Sequence, residues 1–103
     1  MEYRMIKSPS QGTLDILFRR KGSAATTSIG NYDAVGLVQG RLIDMVFAAD
    51  IAEKAAGVVV EDIKGHCPQN LIMIAIFGDT ASVEAAMQEI QDKLKAVKKG
   101  EGS

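Results

Sequence analysis

The segment KGHCPQN, residues 64–70, contains the only cysteine and the only histidine of the 103-residue chain. Cys67 offers a thiolate and His66 an imidazole, the two side-chain types that hold iron–sulfur clusters and zinc. One thiol is too few for either role, because an iron–sulfur cluster takes about four protein ligands. From the residues alone, three interpretations stay open: an inert buried thiol, a reactive thiol, or one part of a site that several chains share.

The neighbours of Cys67 favour an exposed position. Gly65 and Pro68 indicate a turn, because proline lacks the amide hydrogen that a sheet ladder requires. His66 is either a second ligand or a solvated turn residue, and Gln69 offers its amide to a solute or to water. Thiols from neighbouring chains would also suit tetrahedral zinc. A catalytic Cys–His pair is disfavoured, since adjacent residues on a turn point apart.

Composition and charge exclude several classes of function. Apolar residues make up 47% of the chain, charged residues 24%, and the net charge is −1. This balance lacks the basic excess that phosphate neutralisation requires, which argues against a nucleic-acid partner. The N-terminal residues lack the apolar segment of a signal peptide, and the longest apolar run, LIMIAIF, is too short to cross a bilayer. We therefore expect a single cytoplasmic domain over residues 1–98, a disordered tail over residues 99–103, and no membrane partner.

Strand and helix patterns alternate along the chain. Four β-prone runs predict strands, at residues 13–19, 33–39 and 71–77 and from residue 58. Two apolar stripes at three- and four-residue steps predict helices, from about residue 40 to 56 and over residues 83–97. The order is that of the split βαβ motif with its last strand moved to the front. The predicted fold class is therefore α+β, a circularly permuted ferredoxin-like layer.

The first predicted helix carries apolar residues on two faces. Its stripe predicts a buried face formed by Leu42, Met45, Val46, Ala49, Ala52 and Ala56. Phe47 and Ile51 then fall on the outer face, together with Asp44 and Lys54. Large apolar residues on an outer face indicate a surface for a partner.

Three stretches resemble the bacterial microcompartment (BMC) shell domain. They are residues 34–56 (AVGLVQGRLIDMVFAADIAEKAA), residues 57–60, and residues 77–83 (FGDTASV). The family typically has a GLVE-x-x-G strand, an EAADAMVKAA helix, and an RGD-x-x-AV turn into its second helix. The strand-like run LDILFR ahead of these stretches is similar to the circularly permuted shell proteins of ethanolamine and propanediol microcompartments.

The resemblance implies a structural protein and not an enzyme. Family members form homohexamers that tile edge to edge with other shell proteins in the microcompartment shell, inside the cytoplasm. It implies that Gly65, His66, Cys67, Pro68 and Gln69 form a loop that lines the central pore. It also implies that residues 3–7 form a short strand capping that pore, and that Lys54 and Arg19 lie at the edge where hexamers meet.

A pore loop with Gly-His-Cys-Pro resembles the divergent shell proteins of glycyl-radical propanediol-utilisation microcompartments. That subgroup is associated with an iron–sulfur cluster in the pore. Around a closed ring, one Cys67 per subunit becomes a ring of thiols, which is enough for a [4Fe–4S] cluster shared between subunits. Electron transfer or metal transport across the shell is the function this implies. The alternative is a small-molecule-sensing regulatory domain of ferredoxin-like fold, which oligomeric state would distinguish.

Overall fold

The structure is a computed structural model that describes residues 1–20, 32–65 and 71–101, with side chains described up to residue 97. Within these ranges the chain forms strands and helices in the following order: β1 (Glu2–Lys7), α1 (Gln11–Arg19), β2 (Ala34–Arg41), α2 (Leu42–Lys54), β3 (Val58–Ile63), β4 (Leu71–Gly78) and α3 (Thr80–Glu101).

The four strands form one antiparallel sheet in the order β1-β2-β4-β3. The β2–β4 ladder runs from the pair Ala34 and Gly78 to the pair Arg41 and Leu71. The β3–β4 register ends at Ile63 and Met73. Residues 64–70 therefore connect two neighbouring antiparallel strands at one end of the sheet.

Helices cover both faces of this sheet. Because side chains alternate along a strand, Ile74 and Ile76 of β4 pack with α2 and α3, whereas Ala75 and Phe77 pack with α1 on the opposite face. The prediction that residues 71–77 form a strand covered on both faces is confirmed. The α+β class is confirmed as well, with four antiparallel strands and three helices among the described residues.

The predicted strand at residues 13–19 is wrong, because this run lies in helix α1. Leu14, Leu17 and Phe18 follow a helical spacing that places them on one face. Ser10 caps the helix, since its side chain accepts a hydrogen bond from the backbone amide of Thr13 at 3.2 Å. The prediction failed because the β-prone composition of these seven residues outweighed a helical stripe that is only about two turns long.

Both ends of the chain also differ from the sequence prediction. Residues 3–7 lie in β1, which pairs with β2 along its whole length, so they belong to the main sheet and do not form a separate capping strand. The last helix, α3, continues to Glu101 and so includes residues 99–101, which the sequence places in a disordered tail.

Candidate functional site

The segment that carries Cys67 connects the end of β3 to the start of β4. Ile63 ends β3 and Leu71 begins β4. Gly65 is exposed, and a methyl group built on it would have no heavy atom within 4 Å. The predicted pore residues His66, Cys67, Pro68 and Gln69 lie outside the described residues.

Helix α1 holds the start of this segment. The backbone amide of Lys64 donates a hydrogen bond of 2.6 Å to the carbonyl of Arg20, directly after α1. A groove of about 380 Å³ lies beside this bond. Its lining includes Leu17 of α1 together with Gly65 and Leu71, one from each end of the segment. Sequence reasoning missed this contact, because it assigned α1 to a strand.

The described part of the chain offers no alternative metal site. Across residues 1–20, 32–65 and 71–101 there is no group of three or more His, Cys, Asp or Glu side chains that could hold a metal ion. Cys67 has the donor type that an iron–sulfur cluster takes, but each chain supplies one such thiol. The donor set therefore fits a cluster only when several chains contribute.

An exposed apolar surface lies beside the second end of the segment. We call it the α2 apolar surface, and its members are Leu42, Ile43, Val46 and Phe47. The side chains of Ile43 and Val46 are 78% and 62% exposed. The pairing of Arg41 with Leu71 holds the start of α2 against the start of β4, where residues 64–70 return to the sheet. Contiguous exposed apolar side chains of this kind are typical of a protein–protein contact.

The two faces of α2 differ from the sequence prediction. Ile51, predicted on the outer face, is buried, whereas Leu42 and Val46, predicted in the core, are exposed. Met45 and Ala52 are buried as predicted. Apolar residues surround the first two turns of this helix, so periodicity alone did not choose the inward face.

The two predicted assembly residues lie on helices. Lys54, at the end of α2, forms an ion pair with Asp50 at 2.8 Å, and the two side chains are 75% and 60% exposed. Arg19 is the last residue of α1 and is exposed. The predicted edge role of Arg19 assumed that residues 13–19 form a strand, and its helical position removes that basis.

The opposite end of the sheet carries a polar cap. Asp79 accepts two hydrogen bonds of 2.8 Å from Ser82, one from the backbone amide and one from the hydroxyl, and so caps α3. These bonds hold the pKa of Asp79 below its ordinary value.

On β1, burial raises the pKa of the Tyr3 phenol, and the negative charge of Asp44 adds to this effect.

A family model described as the BMC domain matches residues 34–101. Two ligand-free structures of GrpU microcompartment shell proteins are also similar to this chain. The one from Clostridiales bacterium 1_7_47FAA is 59% identical over 92% of this chain and 93% of that chain, with a TM-score of 0.73. The one from Pectobacterium wasabiae is 39% identical over 87% of this chain and 99% of that chain, with a TM-score of 0.70. A search of curated proteins found no match.

The family match begins at residue 34, so β1 and α1 precede the matched region. In the part of the chain that the structure describes, no helix has the length and apolar character needed to cross a membrane.

Proposed function

Because this chain belongs to the BMC-domain family of microcompartment shell proteins, we propose that it forms homohexameric tiles whose central pore is lined by residues 64–70. The protein is a structural component of the shell and not an enzyme. Membership of the shell-protein family favours this structural function over that of a small-molecule-sensing regulatory domain.

The observation that carries the hexamer proposal is the position of the α2 apolar surface beside the predicted pore segment. A neighbouring copy that covers Ile43 and Val46 would lie beside the point where residues 64–70 of the first chain return to the sheet at Leu71. Burial of these side chains would also remove from water the most exposed large apolar residues of the described chain. Repetition of this contact around an axis gives a closed ring with one segment per subunit.

Within that ring we propose that Cys67 thiolates from several subunits hold an iron–sulfur cluster, most simply a [4Fe–4S] cluster. Thiolates are the usual protein ligands of such clusters, and a ring supplies enough of them where one chain does not. A cluster bound there would supply one-electron redox chemistry for electron transfer across the shell, whereas metal transport would move the iron of the cluster itself through the pore. The likeness to GrpU proteins favours a shell of the glycyl-radical propanediol-utilisation type.

The sheet order supports a circular permutation of the domain. In the ferredoxin-like order, the final strand lies at the sheet edge beside the first strand. Here β1 occupies that edge beside β2, although it comes first in the chain. We propose that β1 is the displaced final strand, a role that the sequence prediction had given to residues 13–19.

For contacts between hexamers, we propose Lys54 as an edge residue. It ends α2 in the position of the family's VKAA lysine, and its side chain is 75% exposed beside Asp50. The corresponding proposal for Arg19 loses its basis, because α1 is not a strand.

The cluster proposal is tested by anaerobic purification of the wild-type protein and of Cys67→Ser. We expect a coloured wild-type protein with iron and acid-labile sulfide in equal amounts, and a colourless variant of unchanged oligomeric mass. Gln69→Ala, a change in the same segment that keeps the thiol, serves as the control and should retain the colour. A colourless wild-type protein would overturn the cluster proposal, and a coloured Cys67→Ser would show that the thiol is not the ligand.

A further inference from the structure

We propose that α1 is a positioning element for the predicted pore segment: it fixes the place at which residues 64–70 leave the sheet. The helix lies outside the matched family region and offers no predicted cluster ligand. The effect expected on cluster loading rests on the proposed function, whereas the effect on the Lys64 backbone does not.

The first argument is the hydrogen bond that joins the chain to α1 directly after the end of β3. The β3–β4 register ends at Ile63 and Met73. The amide of the next residue, Lys64, donates a hydrogen bond of 2.6 Å to the carbonyl of Arg20, directly after α1. The hydrogen bond to Arg20 therefore links the first residue after β3 to α1. A displacement of α1 would move Lys64 with it.

The second argument is the packing that holds α1 on the sheet. Leu14 and Leu17 are both 5% exposed and lie in one core cluster with Ile63, the residue before Lys64. Beside them, the ring of Phe18 stacks on that of Phe77 with centroids 5.4 Å apart. These side-chain contacts hold α1 on the sheet beside Ile63, and packed support of this kind is what a positioning element requires.

The third argument is the groove between α1 and both ends of the segment. Leu17 and Arg20 line it from α1, and Lys64, Gly65 and Leu71 line it from the segment ends. Leu14 does not line this groove, although its burial equals that of Leu17. The two leucines therefore provide a matched pair: one supports α1 beside the segment, and the other supports it one turn away.

The experiment compares Leu17→Ala with Leu14→Ala in the full chain by hydrogen exchange at single amides. We take the ratio of the Lys64 rate in each variant to the Lys64 rate in the wild type, and the amide of Ala75, in the middle of β4, checks that the two variants lose similar global stability. We expect the ratio to rise to about ten in Leu17→Ala and to stay near one in Leu14→Ala. If an alanine variant fails to fold, Leu17→Val and Leu14→Val give the same comparison with a smaller loss of volume.

An equal ratio in the two variants would overturn the positioning role of α1. Iron content, measured on the same anaerobic samples, separates this inference from the proposed function. A lower iron content in Leu17→Ala than in Leu14→Ala supports both. A wild-type protein without iron would overturn the proposal of an iron–sulfur cluster. A raised Lys64 ratio in Leu17→Ala would in that case still support the positioning role of α1.

Discussion

Arg41 and Leu71 pair at the last position of the β2–β4 ladder. The α2 apolar surface begins one residue after Arg41, and the segment with Cys67 ends one residue before Leu71. A single backbone pairing thus brings the surface that favours self-association next to the segment whose chemistry requires several copies. The predictions below test the consequences of this arrangement and of the fold that supports it.

A charge on the α2 apolar surface should disrupt the hexamer. Val46→Glu would place a carboxylate in the proposed subunit contact, and an unpaired buried charge costs about 3–5 kcal/mol. We expect light scattering to report a mass below that of six chains at concentrations where the wild type is fully assembled. Ala96→Glu, which adds the same charge at an exposed position of α3 outside this surface, should leave the mass unchanged. An intact Val46→Glu hexamer would exclude this surface from the subunit contact.

Removal of the Lys54 side chain should affect assembly and leave stability nearly unchanged. The Asp50–Lys54 pair is exposed, and such helix pairs contribute about 0.3–0.5 kcal/mol. We expect Lys54→Ala to change the urea midpoint little and to abolish extended sheets in electron micrographs. Lys93→Ala breaks a similar pair, with Glu89 at 3.3 Å on α3, and should keep the sheets. Normal sheets from Lys54→Ala would contradict the edge assignment.

The Asp79 cap should make stability depend on pH in the acidic range. Hydrogen bonds from Ser82 lower the pKa of Asp79 in the folded chain. The carboxylate therefore stabilises the fold fully above its ordinary value near 3.9, and this stabilisation is lost as pH falls through the lowered value. Asp79→Asn keeps a capping oxygen without the titration. We expect the wild type to lose more of its thermal midpoint than Asp79→Asn between about pH 6 and pH 3. Parallel losses would contradict the role of Asp79.

A side chain at Gly57 should destabilise the fold. Gly57 has φ of +81° and connects α2 to β3. A methyl group there would lie 2.8 Å from the Ser82 hydroxyl oxygen. We expect Gly57→Ala to cost about 1–2 kcal/mol in urea unfolding, the penalty of left-handed backbone for an L-residue.

Gly12→Ala is the control for Gly57→Ala. Gly12 lies in α1, where a methyl group would meet no atom closer than 4.0 Å. Alanine favours the helix by roughly 0.5–1 kcal/mol over glycine, so this variant should be as stable as the wild type or more stable. Equal losses in the two variants would show that the backbone angle at Gly57 is not the cause.

The sequence predicts those elements whose pattern is long and consistent. Leu71–Gly78 is apolar over almost its whole length, and α3 repeats its apolar stripe over several turns, so both follow from periodicity. Helix α1 has nine residues, and its local signals, the Ser10 cap and the spacing of its buried leucines, are outweighed in the sequence by the β-prone composition of residues 13–19. The faces of α2 were misassigned because its first turns are apolar on both sides.

The candidate site divides in the same way. Residue types alone single out residues 64–70, because a cysteine and a histidine stand together in a turn sequence. The contact that holds this segment joins two backbone groups, the carbonyl of Arg20 and the amide of Lys64. Every residue has a backbone carbonyl, and every residue except proline has a backbone amide hydrogen. The side chains in the sequence therefore give no sign of such a contact.

Native mass spectrometry of the anaerobically purified protein tests the central claim most directly. The account predicts a species of six 11.0 kDa chains with the additional mass of one iron–sulfur cluster, and the same six chains without that mass for Cys67→Ser. A wild-type hexamer that carries no additional mass, or a monomer at high concentration, would contradict it.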